Sequence, residues 1–394
     1  MRARLLAGLL GVALLAFPSP AAAKPPRLDA RAWALIDARS GEVLASHAVR
    51  RRLPVASTTK LMTAYVALRE LPLDKIVRAA PYEAEYGESL LGLWPRQRIS
   101  VRDLLYGLIL RSGNDAAYDL ARAAAGSEQG FVAQMNRYAA ALGLADSHYA
   151  NPIGLDQRGN YSSAGDLVAL TRRLLRDPVF ARIAASRSAL LRSVRPPRRI
   201  ASINELLSLA PWVNGVKTGH TFGAKYVLVG SGRRKGVELI AAVVGTETDE
   251  DRFGDTLALL EYGFSTYRGR VPIHAGQVLA RPSIAYGDDE LELRAARTVV
   301  VGVRRAQRLE VSVRAPDEVE GPLRRGVRLG TAVVRVDGLR AASVPLVAGR
   351  AVPKATVWDR VRGFIEDNLV WLVLALSAIL IAAVFSMRLR RHRR

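Results

Sequence analysis

A mostly helical segment interrupts the strand-forming parts of this chain, and this order constrains the fold most strongly. From about residue 75 to 195, apolar residues recur mainly at helical spacing. Strands are predicted at 33–37, 42–45, 215–220, 225–230 and 237–244. Helices are predicted after Pro54 and at 129–142, 163–175 and 249–262. Two more helices are predicted within 99–120, one on each side of a turn at 111–115. The sequence therefore predicts an α+β domain with a helical region inserted between β elements.

The character of the sequence changes after Gly269. From there to about Val352, short alternating strands follow one another with Gly and Pro turns, which predicts a small β-sandwich or barrel. We therefore divide the chain into a signal peptide (1–23), a main α+β domain (24–268), a β-sandwich domain (269–352), a linker (353–368), a transmembrane helix (369–387) and a basic tail (388–394).

The first 23 residues have the features of a secretory signal. Arg2 and Arg4 precede an apolar stretch, and the three alanines at 21–23 supply a small-residue cleavage site. A non-cleaved anchor is the alternative, but the apolar stretch is short for a membrane span. The mature chain is predicted to begin near Lys24 and to work outside the cytoplasm.

A second apolar stretch lies near the other end of the chain. Residues 369–387 are nineteen residues without a charge, and as a helix they would be about 28 Å long, close to the hydrocarbon thickness of a bilayer. A buried core helix is the alternative, but the basic tail at 388–394 favours a membrane span. The positive-inside rule then puts the tail in the cytoplasm and both domains outside it.

Composition excludes several classes of function. The chain has no cysteine and its five histidines never stand at a short ligand spacing, so neither a metal nor a cofactor is expected. The net charge of +22 suggests nucleic acid, but the densest basic run, Arg182–Arg199, has no aromatic residue to stack on bases. Nucleic acid is therefore not expected as a partner. The run is interpreted as a solvated face that could meet an anionic polymer or lipid head groups.

Ser57 and Lys60 stand at the start of a predicted helix. Three residues apart, they share one helix face, and Ser57 lies in the first turn, where free N–H groups favour a developing anion. A desolvated lysine can lose its proton and act as the base for a serine nucleophile, which arginine cannot do. The chain has seven lysines and fifty-one arginines, so a lysine here is informative. A surface lysine stays the alternative until partners are identified.

Two further short motifs follow in order. Ser112-Gly113-Asn114 supplies a hydroxyl and an amide in a turn between two helices, and Lys217-Thr218-Gly219 lies on a predicted strand. Each motif is weak by itself. Together, in this order and in these contexts, the three motifs are typical of penicillin-binding proteins and class A β-lactamases.

The chain resembles the low-molecular-mass penicillin-binding proteins, the D-alanyl-D-alanine carboxypeptidases of the serine DD-peptidase family. Phrases similar to that family occur at 36–44, 56–63, 112–117, 151–155, 217–221, 326–330 and 344–347. The resemblance covers about residues 30–350 and implies a β-lactamase/DD-peptidase-like α+β fold. In that fold an antiparallel sheet is flanked by helices and carries a helical subdomain, and a small all-β domain follows it.

The resemblance also implies an acyl-enzyme mechanism. Ser57 would attack the carbonyl of the penultimate D-alanine, with Lys60 as general base and Ser112 passing a proton to the leaving D-alanine. The backbone N–H groups of Ser57 and His220 would form the oxyanion hole. Asn114 would orient Lys60 and the substrate amide.

Besides Asn114 and His220, four further residues would bind the substrate, again as the resemblance implies. Lys217 would supply positive charge, Thr218 would bind the terminal carboxylate, and Gly219 would let the substrate backbone lie along the strand. Arg252 matches an arginine of the family that pairs with the same carboxylate. A solvated arginine at a helix start is the alternative for Arg252.

The predicted function is a serine-type carboxypeptidase of a bacterial inner membrane that trims D-alanine from peptidoglycan pentapeptides. Its predicted partners are stem peptides, and β-lactams would be covalent inhibitors. A class A β-lactamase would need a glutamate for the deacylating water, and residues 150–160 hold none. A DD-endopeptidase uses the same chemistry and stays open. A non-catalytic wall-binding scaffold is disfavoured, because it would not require Ser57, Lys60, Ser112 and Lys217.

Overall fold

The computed structural model describes residues 24–391 and, within the last helix, the side chains of only part of the residues. The predicted signal peptide (1–23) and the end of the predicted tail (392–394) lie outside the described residues. A 3₁₀ turn spans Ala56–Thr59. The helices are α1 Lys60–Glu70, α2 Val101–Leu110, α3 Asn114–Ala125, α4 Glu128–Ala141, α5 Ala164–Leu174, α6 Pro178–Ala184, α7 Leu206–Leu209, α8 Asp249–Ser265 and α9 Val357–Arg391.

The strands fall into a first group up to residue 246 and a second group from residue 268. The first group is β1 Ala32–Asp37, β2 Val43–His47, β3 Ile76–Arg78, β4 Arg98–Ser100, β5 Ser188–Leu191, β6 Arg198–Ala201, β7 Val213–Thr221, β8 Lys225–Arg234 and β9 Val237–Thr246. The second group is β10 Arg268–Ile273, β11 Val278–Ala280, β12 Ser283–Ile284, β13 Leu293–Ala295, β14 Val299–Val303, β15 Leu309–Arg314, β16 Glu318–Val319, β17 Arg328–Val336 and β18 Leu339–Ala348.

One antiparallel sheet joins the strands that precede the helical region to the strands that follow it. Its order is β2-β1-β9-β8-β7, and β1 pairs with β9 from Ala32 opposite Val244 to Asp37 opposite Leu239. The predicted α+β fold with an inserted helical region is therefore confirmed. The strand β7 lies at the edge of this sheet, which leaves one side of its backbone free to pair with another chain.

The inner strands β1 and β9 are buried on both faces, because helices cover the sheet on both sides. Along β1, Leu35 packs towards α8 with Leu260, whereas its neighbours Ala34 and Ile36 belong to the larger core beneath α1–α6. This alternation follows from the two-residue repeat of a strand. The side chain of Leu35 is fully buried.

Helices of the inserted region begin where the sequence supplies a capping serine. The hydroxyl groups of Ser100, Ser127 and Ser163 each accept a hydrogen bond from the backbone N–H three residues later, at the starts of α2, α4 and α5. Such caps satisfy one of the free N–H groups of the first turn. The predicted helices in this region are confirmed, and two short antiparallel strand pairs, β3–β4 and β5–β6, lie among them.

The hairpin β8–β9 is tighter than the sequence predicted. A turn was expected over 232–236, but both strands extend further, and only Lys235 and Gly236 lie between them. These two residues have φ values of 50° and 78°. Positive φ at both central positions is the geometry of a two-residue hairpin turn that matches the twist of its strands.

The second group of strands forms a separate all-β domain, as predicted. Its main sheet has the order β11-β13-β18-β17-β15, and its core is independent of the first domain's. That core includes the fully buried Leu293, Val334 and Leu346. At the junction, the hydroxyl of Tyr267 donates a 2.6 Å hydrogen bond to Asp37, and Arg304 forms an ion pair with Glu42.

The predicted transmembrane helix is not supported by the structure. Residues 369–387 lie within α9, and no helix in the described residues 24–391 is sufficiently long and apolar to cross a bilayer. The first turns of α9 are charged at Asp359 and Arg360, and Asp359 accepts hydrogen bonds from Thr356 at the helix start.

Candidate active site

Ser57 lies in the 3₁₀ turn rather than in an α-helix. Three residues complete one 3₁₀ turn, so Ser57 and Lys60 stand directly above one another. The preceding residue, Ala56, has a φ of 48°, a conformation that residues with side chains adopt rarely. Sequence reasoning predicted the shared face, but it did not predict the 3₁₀ geometry.

Two glycines allow neighbouring segments to press against the Ser57 turn. A Cβ on Gly154, whose φ is 90°, would lie 2.1 Å from the carbonyl oxygen of Ala56. A Cβ on Gly219 of β7 would lie 3.0 Å from the backbone nitrogen of Ser57. A side chain at either position would therefore push the loop or the strand away from the serine.

Lys60 is fully buried and contacts the serine directly. Its Nζ atom donates a 2.9 Å hydrogen bond to Ser57 Oγ and a second to the carbonyl oxygen of Ile153. Burial lowers the pKa of Lys60 to about 7, although the negative charges of Glu88 and Asp115 act in the opposite direction. A substantial fraction of this amine is therefore neutral near pH 7 and able to accept a proton.

Lys217 and Ser112 form a second lysine–serine pair. The Nζ atom of Lys217, also fully buried, donates hydrogen bonds to Ser112 Oγ at 2.9 Å and to the carbonyl oxygen of Thr218 at 2.6 Å. Burial lowers the pKa of Lys217, and the charges of Lys60 and Arg252 lower it further. The three short motifs are thus brought together in one place, as predicted.

Asn114 is the first residue of α3 and its side chain is buried. Its Nδ2 atom donates a 2.7 Å hydrogen bond to Glu88, whereas its Oδ1 atom is buried with no partner among the described residues. A buried carbonyl oxygen without a partner is unfavourable unless a ligand supplies a donor.

Arg252 is not a solvated arginine. It lies in α8 with 8% of its surface exposed, and its guanidinium donates a 2.9 Å hydrogen bond to the carbonyl oxygen of Gly219. It also forms an ion pair with Asp249 and lies over the ring of Tyr226, and its Nε atom has no partner among the described residues. The contact with Gly219 ties this cation to the strand of the third motif.

The carboxylate of Asp156 binds the end of β7 and the turn that follows it. Asp156 accepts hydrogen bonds from the hydroxyl of Thr221 at 2.8 Å and from the backbone N–H of Gly223 at 2.7 Å. The exposed ring of His220 stacks on Tyr226 with 4.2 Å between ring centroids. Thr218, two residues before His220 on the same strand, is buried.

Sequence reasoning missed several residues of this site. Glu88 and Asp156 contact Asn114 and Thr221 from positions that no motif marks. Asp115, directly after the second motif, accepts hydrogen bonds from the backbone of residues 91–93. One signal was available for Glu88: residues 79–95 contain three glutamates and no basic residue, in a chain that is otherwise rich in arginine. Asp115 lies within the phrase 112–117 that carries the resemblance, although no role was predicted for it, and for Asp156 the sequence gives no comparable signal.

Comparison with known families agrees with this geometry. Residues 19–248 match the D-alanyl-D-alanine carboxypeptidase family, and residues 267–354 match the C-terminal domain of penicillin-binding protein 5. In three dimensions, the chain is similar to penicillin-binding protein 5 from Haemophilus influenzae, with a TM-score of 0.59 and 28% identity over 84% of this chain and 100% of that one.

Two relatives match over most of their length. D-alanyl-D-alanine carboxypeptidase DacF of Bacillus subtilis is 31% identical over 370 residues, 89% of this chain and 95% of that one. D-alanyl-D-alanine carboxypeptidase DacC of Escherichia coli is 34% identical over 367 residues, 89% of this chain and 91% of that one. The chain therefore belongs to the D-alanyl-D-alanine carboxypeptidase family of serine peptidases.

Proposed function

We propose that this protein removes the terminal D-alanine from peptidoglycan pentapeptides through an acyl-enzyme on Ser57. One observation carries the proposal: Ser57 accepts a hydrogen bond from a buried lysine whose pKa is near 7, next to a second buried lysine–serine pair. A serine hydroxyl is a weak nucleophile until a neighbouring base takes its proton. Membership of the carboxypeptidase family supports the same reaction.

In the acylation step, neutral Lys60 takes the hydroxyl proton of Ser57. The Oγ atom forms a bond to the carbonyl carbon of the penultimate D-alanine, and the negative charge moves to the carbonyl oxygen. Backbone N–H groups of Ser57 and His220 stabilise that oxygen, an arrangement worth about 3 kcal/mol per donor in related chemistry. The close approach of Gly219 to the Ser57 turn supports this pairing.

Departure of D-alanine requires a proton on its nitrogen. Ser112, which accepts a hydrogen bond from Lys217, relays the proton that Lys60 took from Ser57 to that nitrogen as the carbon–nitrogen bond breaks, and this returns Lys60 to its neutral form. Water then attacks the ester, its proton passes back through the same groups, and Ser57 Oγ leaves as a hydroxyl. The products are free D-alanine and the shortened peptide.

The terminal carboxylate of the substrate is bound by a cluster of cationic and hydroxyl groups. Arg252 has an Nε–H group without a partner among the described residues, Thr218 supplies a hydroxyl, and Lys217 supplies positive charge. A carboxypeptidase must recognise this carboxylate, because it distinguishes a chain end from an internal peptide. Pairing of the substrate backbone with the edge strand β7 would hold it in register.

The protein acts outside the cytoplasm, where peptidoglycan is found, and α9 attaches it to the membrane. The apolar stretches at 5–17 and 369–387 support this proposal, since the first resembles a secretory signal. The test is to fractionate cells that produce the full chain and, separately, cells that produce a chain ending at residue 356. Recovery of both proteins in the soluble fraction would contradict attachment through α9.

The activity is tested with the full chain in detergent and a pentapeptide that ends in D-Ala-D-Ala. Release of D-alanine is followed by mass spectrometry, and Ser57→Ala is expected to abolish it. A fluorescent penicillin should label the parent protein at Ser57. Labelling without release would indicate a cross-linked substrate, and hence an endopeptidase. Absence of both labelling and release would contradict the enzymatic function.

A further inference from the structure

The segment 79–95 forms one wall of the site and differs in charge from the rest of the chain. It contains Glu83, Glu85 and Glu88 but no lysine or arginine, although the whole chain carries a net charge of +22. Of these three glutamates, Glu83 and Glu85 are exposed, and only Glu88 is partly buried.

The inner part of this wall is fixed from two directions. The carboxylate of Asp115 accepts hydrogen bonds from the backbone N–H groups of Leu91, Gly92 and Leu93 at 2.8 to 3.0 Å. The guanidinium of Arg198 donates to the carbonyl oxygens of Leu91 and Gly92. A segment held through both its donors and its acceptors can present the neighbouring Glu88 in a defined position.

Glu88 is held by three hydrogen bonds. Its Oε2 atom accepts from Asn114 Nδ2 at 2.7 Å and from the hydroxyl of Tyr82 at 2.5 Å, and its Oε1 atom accepts from the backbone N–H of Glu85 at 3.1 Å. Burial raises the pKa of Glu88, but these hydrogen bonds outweigh it, so the net shift is downward. Glu88 is therefore a carboxylate at neutral pH and accepts hydrogen bonds only.

An acceptor at this position determines which way the Asn114 amide points. Because a carboxylate can only accept, the amide must turn its Nδ2 atom to Glu88, and this leaves Oδ1 as the buried atom without a partner. We propose that Glu88 is a positioning residue of the acylation step, which holds Asn114 with its oxygen inward, as the acceptor for a donor of Lys60 or of the substrate amide. This proposal rests on the proposed function.

The charge of Glu88 also acts on the base. Burial lowers the pKa of Lys60, and the negative charges of Glu88 and Asp115 raise it in opposition. Removal of the Glu88 charge should therefore lower the pKa of Lys60. The neutral form of the base would then persist to lower pH.

A different role for Glu88 would be activation of the deacylating water, as the glutamate of class A β-lactamases does. The hydrogen bonds argue against it. Both carboxylate oxygens already accept hydrogen bonds, and the low pKa makes this group a poor proton acceptor. Deacylation is nevertheless a distinguishable outcome of the experiment.

The experiment compares the full chain with Glu88→Gln, Tyr82→Phe and the matched control Glu83→Gln. Acylation of Ser57 by a fluorescent penicillin and release of D-alanine are measured from about pH 5 to pH 9, and melting curves establish folding. Glu88→Gln is expected to lower acylation efficiency about tenfold at high pH, because a charge-assisted hydrogen bond is lost. The low-pH limb of the curve of acylation rate against pH should move about 0.5 to 1 pH unit towards lower pH in this variant.

The other variants separate the two effects. Tyr82→Phe keeps the charge of Glu88, so we expect a fall of about threefold in acylation with no shift of the low-pH limb. Glu83→Gln removes an exposed charge from the same segment and should behave as the parent does. Tyr82→Phe also keeps the proposal testable if Glu88→Gln does not fold.

Three results are decisive. Parent-like acylation efficiency and an unshifted pH profile in Glu88→Gln would overturn the positioning role. Normal acylation with slow loss of the acyl group would instead assign Glu88 to deacylation and would also overturn it. Absence of labelling and of D-alanine release in the parent itself would contradict the proposed function, not this inference.

Discussion

At the scale of single residues, the buried amine of Lys60 sets the pH dependence of the reaction. Its pKa is lowered to about 7 by burial, and only the neutral amine can accept the proton of Ser57. Acylation should therefore slow about tenfold for each pH unit below about pH 6 and become constant above about pH 8. Stopped-flow measurements with a fluorescent penicillin across this range test the prediction.

Lys60→Arg serves as the control for this profile. Arginine keeps the positive charge but cannot lose its proton, so acylation should fall about 1000-fold relative to the parent above about pH 8 and should no longer change with pH. A parent profile that stays flat from about pH 5 to 9 would contradict Lys60 as the titrating base.

Arg252 is predicted to determine selectivity for a free carboxylate. Arg252→Ala should raise KM for a peptide ending in D-Ala-D-Ala about 10- to 100-fold, because a hydrogen-bonded charge pair with the substrate is lost. The same variant should change little for a peptide whose terminal carboxylate is amidated. Steady-state kinetics with both peptides measure the difference, and Arg233→Ala, at an exposed ion pair with Glu238, is the control. Equal effects on both peptides would exclude carboxylate recognition by Arg252.

At the scale of elements, the loop that carries Gly154 is predicted to fix the nucleophile turn. In Gly154→Ala, the new methyl group would meet the carbonyl oxygen of Ala56 at 2.1 Å, and the φ of 90° is unfavourable for alanine. We expect acylation to fall about 100-fold, since small displacements of reacting groups have effects of this size. The free energy of unfolding should fall by about 1 to 3 kcal/mol.

Gly126→Ala provides a matched control. Gly126 also has a positive φ, of 74°, but a Cβ there would meet nothing within 4 Å. This variant should lose about 1 kcal/mol of stability and keep its rate of acylation. Loss of acylation in both variants would indicate a general effect of stability, not a local one.

At the scale of the whole molecule, the junction between the two domains depends on a buried carboxylate. Asp37 is 3% exposed and accepts the hydroxyl of Tyr267 and two hydrogen bonds from Ser40. Tyr267→Phe removes one donor, and we expect it to lower the free energy of unfolding by about 1 to 3 kcal/mol. Acylation should be unchanged, because Asp37 contacts none of the active-site residues.

Chemical denaturation of Tyr267→Phe and of Tyr262→Phe tests this prediction. The hydroxyl of Tyr262 makes no hydrogen bond in the part of the chain that the structure describes, so its removal should change stability by less than about 0.5 kcal/mol. Equal stability of the two variants would rule out a contribution from the bond to Asp37.

Much of the fold follows from local sequence. The helices α2 to α5 were predictable because their apolar residues recur at helical spacing, and capping serines stand at the starts of α2, α4 and α5. The ends of β8 and β9 were not, since the sequence Gly-Arg-Arg-Lys-Gly allows several turns. Pairing across the sheet, which involves residues distant in the chain, selected the two-residue turn.

The sequence by itself also determined the identity of the reacting groups. Ser57 and Lys60 are three residues apart, so local helical geometry alone brings their side chains together. The pairing of Lys217 with Ser112 was predictable only through the resemblance, because the two residues are 105 positions apart.

Only the tertiary structure decided the electrostatic state of the site. The pKa of Lys60 depends on burial by many residues and on the charges of Asp115 and of Glu88, the second of which no motif identifies. Likewise, Arg252 could be read as a surface residue until α8 packed it against Gly219. Hydrogen-bonding capacity belongs to each residue, whereas desolvation and orientation are properties of the packed fold.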